Sequence, residues 1–103
     1  MNAAVRKLLT IVTEAALESA LIRDFEMLGA PGYTITDARG KGRRGARSSA
    51  WETNGNIRIE IVCDAALAQT ISEHLQTRYY AHYAMILFTS DVTVLRPEKF
   101  QRQ

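Results

Sequence analysis

The sequence predicts an α+β fold in which strand, helix, strand, strand, helix and strand follow one another. Ile57, Ile59 and Ile61 alternate with Arg58, Glu60 and Val62, the period of a strand with one buried face. Two other stretches, near residues 17–28 and 67–79, repeat their apolar positions every three or four residues, as amphipathic helices do. Between the second and third strands lies a glycine- and arginine-rich segment without any aliphatic side chain larger than alanine. Such a segment lacks the apolar surface to anchor a packed element, and its length marks it as a functional candidate.

Each element follows from local chemistry. Residues 5–13, Val-Arg-Lys-Leu-Leu-Thr-Ile-Val-Thr, are β-branched and apolar on both faces after the first positions, which predicts a well-covered strand. Thr13 is then placed to cap the first helix, whose stripe is Leu17, Leu21, Phe25 and Leu28, with Glu14, Glu18 and Glu26 outside it and solvated. Gly29 and Pro31 end that helix. Tyr33 to Asp37 alternates aromatic or β-branched residues with threonines and reads as the second strand. The loop spans about residues 39–56 and carries four glycines and an isolated Trp51. After the isoleucine strand, Asp64 is a suitable N-cap for a helix with Leu67, Ile71 and Leu75 inward and Tyr79 extending the stripe. Ala84–Ser90 and Val92–Leu95 complete the chain as strand, with an interruption expected at Asp91.

This order is the ferredoxin-like βαββαβ arrangement, an antiparallel sheet with both helices on one face. The other face is then left bare and would carry Thr34, Thr36 and Val62 if the three isoleucines point toward the helices. So apolar a sheet face meets a partner subunit, and oligomerisation is expected.

The totals bound the rest. With 103 residues, 47% hydrophobic and 23% charged, the composition suits one globular domain over residues 1–103. No apolar run approaches the length of a bilayer span and the N-terminal segment has no secretory pattern, so a cytoplasmic protein is expected. Cys63 is the single cysteine, which excludes an intrachain disulfide or a cysteine metal cluster. His74 and His82 have no third ligand at metal spacing, and no metal site is expected. The net charge is only +2, but Arg39, Lys41, Arg43, Arg44 and Arg47 crowd five cations into nine residues, which implies an anionic ligand.

Gly40-Lys41-Gly42-Arg43-Arg44-Gly45 follows a strand, and its glycines let backbone amides turn toward an anion without a Cβ in the way. Arginine forks fit phosphate oxygens in pairs. It is not a Walker loop, because the terminal Lys-Ser/Thr pair is missing. The loop offers cations plus Ser48 and Ser49 without a partnered histidine, so catalysis is not expected. An RNA-binding ferredoxin-like module is the alternative, but Tyr33 is the only aromatic on the central strands. Tyr79, Tyr80 and Tyr83 close the second helix and read as rim packing before an adenine platform.

Gly32-Tyr33-Thr34-Ile35-Thr36-Asp37 leading into Gly40-Lys41-Gly42-Arg43-Arg44 resembles the second strand and loop base of PII signalling proteins. Leu9-Thr10-Ile11-Val12-Thr13-Glu14, Arg47-Ser48-Ser49 and Ile57-Arg58-Ile59-Glu60-Ile61 extend the resemblance, specifically to the PII-like branch linked to bicarbonate transport and carboxysomes. The resemblance implies a homotrimer with nucleotide sites in the clefts between subunits, each framed by the loop base and the turn around Tyr80 to Ala84. It implies AMP or ADP as ligand, with cyclic AMP and bicarbonate as further candidates and no obligatory metal. Carried over by position, Thr34 approaches the adenine, Gly40, Lys41 and Gly42 run beside ribose and phosphates, and Arg44 and Arg47 grip the phosphates. Arg96 is a phosphate candidate from the neighbouring subunit, Tyr83 and Ala84 line the adenine rim, and Trp51 is a candidate anchor for a protein partner. That partner is expected to be a bicarbonate transporter or a carboxysome component.

The departures from the family pattern are informative. Arg44 stands where nitrogen-regulating members keep a magnesium-supporting glutamine, Asn56 stands where they keep a carboxylate-holding lysine, and the loop has no tyrosine. These changes argue against 2-oxoglutarate sensing and uridylylation. Residues 98–103 read Glu-Lys-Phe-Gln-Arg-Gln, and the C-terminal cysteine pair of some relatives is not expected.

Overall fold

The computed structural model describes residues 3–40 and 55–101. The strands are β1 (Ala4–Glu14), β2 (Thr34–Ala38), β3 (Asn56–Cys63) and β4 (Met85–Val94). The helices are α1 (Glu18–Leu28) and α2 (Ala65–Tyr79), and short 3-10 turns occupy Ala15–Leu17 and Pro97–Phe100. The strands form one antiparallel sheet in the order β2-β3-β1-β4, which gives the expected βαββαβ fold.

The register fixes which side chains share a face. Ile35 lies opposite Ile59, and Ile59 opposite Ile11, so these residues point together toward the helices. There they bury against Leu21 and Phe25 of α1 and Leu67, Ile71 and Leu75 of α2. Each such side chain contributes about 1.5–3 kcal/mol by leaving water, and this layer is the core. The opposite face carries Thr34, Thr36 and Val62 as expected, together with Leu8, Thr10, Val12, Ile86 and Phe88.

Asp64 does cap α2, its carboxylate oxygen accepting the Leu67 amide at 2.7 Å. Gly29 ends α1 in the left-handed region at φ 82°, where a side chain would be strained. Other boundaries differ. Thr13 is not a helix cap: it remains in β1, the chain passes through the 3-10 turn, and Leu17 occupies the N-cap without a side-chain hydrogen bond. β4 is not interrupted at Asp91, which pairs in register with Lys7 and binds its ammonium at 2.6 Å. The loop ends one residue earlier than expected, because Asn56 already pairs with Glu14 and Ala38. The second strand begins at Thr34 and the last ends at Val94, leaving Leu95 exposed. Among the described residues no helix is long and apolar enough to cross a membrane.

Candidate functional site at the loop end of the sheet

Antiparallel pairing brings three distant segments to one end of the sheet. Ala38, which leads into the loop, lies opposite Asn56, which leads out of it, and Asn56 lies opposite Glu14. Thr13 lies opposite Met85, so the turn that enters β4 arrives beside them.

Three consecutive residues tie these segments together. Thr13 Oγ1 donates to the Ala84 carbonyl at 2.8 Å. The Ala84 amide donates to Glu14 Oε2 at 3.0 Å. The Ala15 amide donates to the Gly55 carbonyl at 3.1 Å. Gly55 has φ 76°, a conformation that favours glycine where the loop rejoins the sheet. Glu14 is therefore not a solvated helix carboxylate: it anchors the turn.

The turn is held equally firmly from its other side. The Tyr79 carbonyl accepts the amides of His82 at 3.1 Å and Tyr83 at 3.0 Å. The Tyr79 ring meets Tyr83 edge-on with centroids 5.9 Å apart, and its hydroxyl donates to the buried Asp24 Oδ2 at 2.5 Å. Burial, aided by the bond to Asp24, pushes the Tyr79 phenol above its ordinary pKa, because the charged phenolate is disfavoured there. His74 Nε2 lies 3.4 Å from Asp24 Oδ1, and Arg78 Nε lies 3.9 Å from Oδ2 while its guanidinium stacks 5.5 Å above the Tyr79 ring. Tyr79 is thus packing rather than platform, Tyr83 is half-buried and Tyr80 is exposed.

The expected site residues divide by position. Gly40 follows β2 at the loop end of the sheet, and Tyr83 and Ala84 border the same end. Both main-chain polar groups of Ala84 are engaged within the chain. Thr34 is exposed on the helix-free face of edge strand β2, opposite Glu60. Arg96 follows β4 at the far end of the sheet, where Val94 pairs with Ala4. With about 3.3 Å per strand residue, the length of β1 separates it from the loop base of its own chain. Lys41, Gly42, Arg44, Arg47 and Trp51 lie outside the described residues.

Asp24 and the anchoring roles of Thr13 and Glu14 escaped the sequence reading. One signal for Asp24 was present: an acid inside the apolar stripe, three residues after Leu21 and one before Phe25, demands a buried partner. Among the described residues no group of three or more His, Cys, Asp or Glu side chains is arranged to hold a metal ion.

The model of the nitrogen regulatory protein P-II family matches residues 6–99. A PII-like signalling protein from Thermus thermophilus is 46% identical, with a TM-score of 0.82 over 97% of this chain and 99% of that one. The CPII protein of Thiomonas intermedia K12, in its structure bound to ADP and bicarbonate, is 26% identical with a TM-score of 0.82, covering 96% of this chain and 97% of that one. Its complex with ADP, AMP and bicarbonate gives 25% identity and a TM-score of 0.82, with 98% of each chain covered. Matched along nearly its whole length by both the family model and a close relative, the chain belongs to the P-II family of signalling proteins.

Proposed function

We propose that the chain is a non-enzymatic sensor of adenine nucleotides, AMP or ADP foremost, whose loop answers to bicarbonate as a second ligand. The observation that carries this reading is the convergence of both loop ends with the 80–84 turn at one end of the sheet, tied by Thr13, Glu14 and Ala15. A ligand seated between the loop base and that turn touches a rigid wall on one side and a cationic loop on the other. In this reading Gly40, Lys41 and Gly42 follow the ribose and phosphates, Arg44 and Arg47 bind phosphate oxygens, and Thr34 meets the base. The neighbour's copy of Arg96 completes the phosphate site. The ADP, AMP and bicarbonate bound by the Thiomonas protein support the choice of ligands.

A homotrimer supplies the cleft and covers the apolar face of the sheet. On that face Ile86 and Phe88 are half exposed beside Thr10, whose hydroxyl is buried without a hydrogen-bond partner in the described chain. Phosphate charge offsets the mutual repulsion of the loop cations and favours one loop arrangement, in which bicarbonate completes its own site. The output is protein binding through Trp51, with a bicarbonate transporter or carboxysome component as target. Trp51→Ala then weakens the partner complex and leaves nucleotide affinity unchanged.

Thermal unfolding with AMP, ADP, ATP and cyclic AMP, each with and without bicarbonate, tests the reading. A ligand at ~100 times its Kd adds about 2.7 kcal/mol, and each kcal/mol moves the midpoint of a chain this size by about 4–8 °C. The expected result is a shift with AMP or ADP that grows with bicarbonate. No shift with any nucleotide overturns the assignment and makes salt-dependent RNA binding the next measurement.

A further inference from the structure

We propose that Asp24 and Tyr79 are positioning residues for the ligand cleft: their buried hydrogen bond between α1 and α2 sets the 80–84 turn and thereby the affinity for adenine nucleotide. The inference rests on the nucleotide-binding reading and adds to it residues that lie behind the cleft wall. Asp24 is only 5% exposed, and a buried carboxylate is tolerated only where partners replace its lost water. Its Oδ2 accepts the Tyr79 hydroxyl, the one hydrogen bond to it among the described residues, while His74 Nε2 at 3.4 Å and Arg78 Nε at 3.9 Å lie near without bonding it. An apolar pair would hold two helices together as well. A carboxylate gripping a phenol does something else: it fixes the ring at its tip as well as at its Cβ.

That ring is the inner support of the turn. Its edge contact with Tyr83 and its residue's carbonyl, which accepts both His82 and Tyr83 amides, restrain the turn where α2 ends. Thr13 and Glu14 restrain it again at Ala84. Between these fixed ends Tyr80, Ala81 and His82 are exposed, so the turn keeps its shape through its supports. Releasing the inner one lowers the fraction of molecules whose cleft is ready for ligand, and apparent affinity falls in proportion.

Three full-length variants test this by titration calorimetry with AMP and ADP, together with amide hydrogen exchange at His82, Tyr83 and Ala84. Asp24→Asn keeps an oxygen acceptor for the phenol, and its binding stays near that of the unaltered chain. Tyr79→Phe breaks the bond. Asp24→Leu combined with Tyr79→Phe replaces the polar pair by an apolar one and keeps the helices packed, so its melting temperature stays high. If the ready fraction drops to about a fifth, both Tyr79→Phe and the double variant bind roughly five-fold more weakly, with faster exchange in the turn. A double variant that binds within about two-fold of the unaltered chain, with unchanged exchange, overturns the positioning role. If the unaltered chain binds no adenine nucleotide, the functional reading falls and takes the affinity claim with it. Exchange in the turn then still separates a support from a mere packing contact.

Discussion

The Glu14 carboxylate accepts the Ala84 amide at 3.0 Å across 70 residues of sequence. The neighbouring Thr13 hydroxyl donates to the carbonyl of that same alanine. Two adjacent side chains thus satisfy both main-chain groups of a buried residue at the entrance to β4. Thr13→Val keeps the shape and removes the donor, leaving the Ala84 carbonyl buried and unpaired. The expected loss of stability is about 1–3 kcal/mol, read from urea unfolding. An unchanged midpoint would mean that water or a relaxed turn replaces the bond.

The Tyr79 phenol makes stability depend on pH in the alkaline range. Its pKa in the folded chain is raised by burial and then by the bond to Asp24, so the folded state holds the phenolic proton more tightly than the unfolded state does. The associated stability is fully present below the ordinary phenol pKa, about 10, and is lost as pH rises from there through the raised value. Urea titrations from neutral pH into this range should show the unaltered chain losing stability more steeply than Tyr79→Phe. Parallel curves for the two proteins would refute the assignment.

In the proposed phosphate site, Arg44→Ala and Arg47→Ala should each weaken ADP binding by about 10- to 100-fold, the equivalent of a lost charge-assisted hydrogen bond. Arg44→Lys keeps the charge but not the planar fork, and recovers only part of the loss. Calorimetry at low and high salt separates the two contributions. Wild-type affinity in both alanine variants would remove these residues from the site.

Legibility from sequence followed the range of the interaction. Ile57, Ile59 and Ile61 announced β3 because alternation is a local property, and Asp64 announced α2 because its cap bond reaches only to Leu67. Thr13 and Asp91 were misjudged because their partners are remote. A threonine before glutamate looks like a helix cap until Ala84 is seen beside it. An aspartate between two apolar runs looks like a break until Lys7 is seen across the ladder. Asp24 shows the same limit: the stripe predicts its burial, while only the packing of α1 on α2 supplies the Tyr79 hydroxyl that makes burial tolerable. The loop is a different case: Lys41, Gly42, Arg44, Arg47 and Trp51 lie outside the described residues, and their assignment rests on sequence alone.

The helix-free face of the sheet makes the assembly testable. Phe88 is 47% exposed, lies opposite Thr10 and shares its face with Ile86, Leu8, Val12 and Val62. Arg58 and Glu60 pair with each other on the β3 part of this face, and the apolar part around Phe88 favours association in water. Phe88→Asp places a charge there without touching the layer between sheet and helices. The variant should retain its circular dichroism spectrum and sediment as a smaller species than the proposed trimer of the unaltered chain. Because the proposed phosphate site draws Arg96 from a neighbouring subunit, it should also bind ADP less tightly at equal chain concentration. If Phe88→Asp sediments as a trimer, this face is not the contact that holds the subunits together. If it dissociates and still binds ADP fully, the cleft is complete within one chain and Arg96 has no part in it.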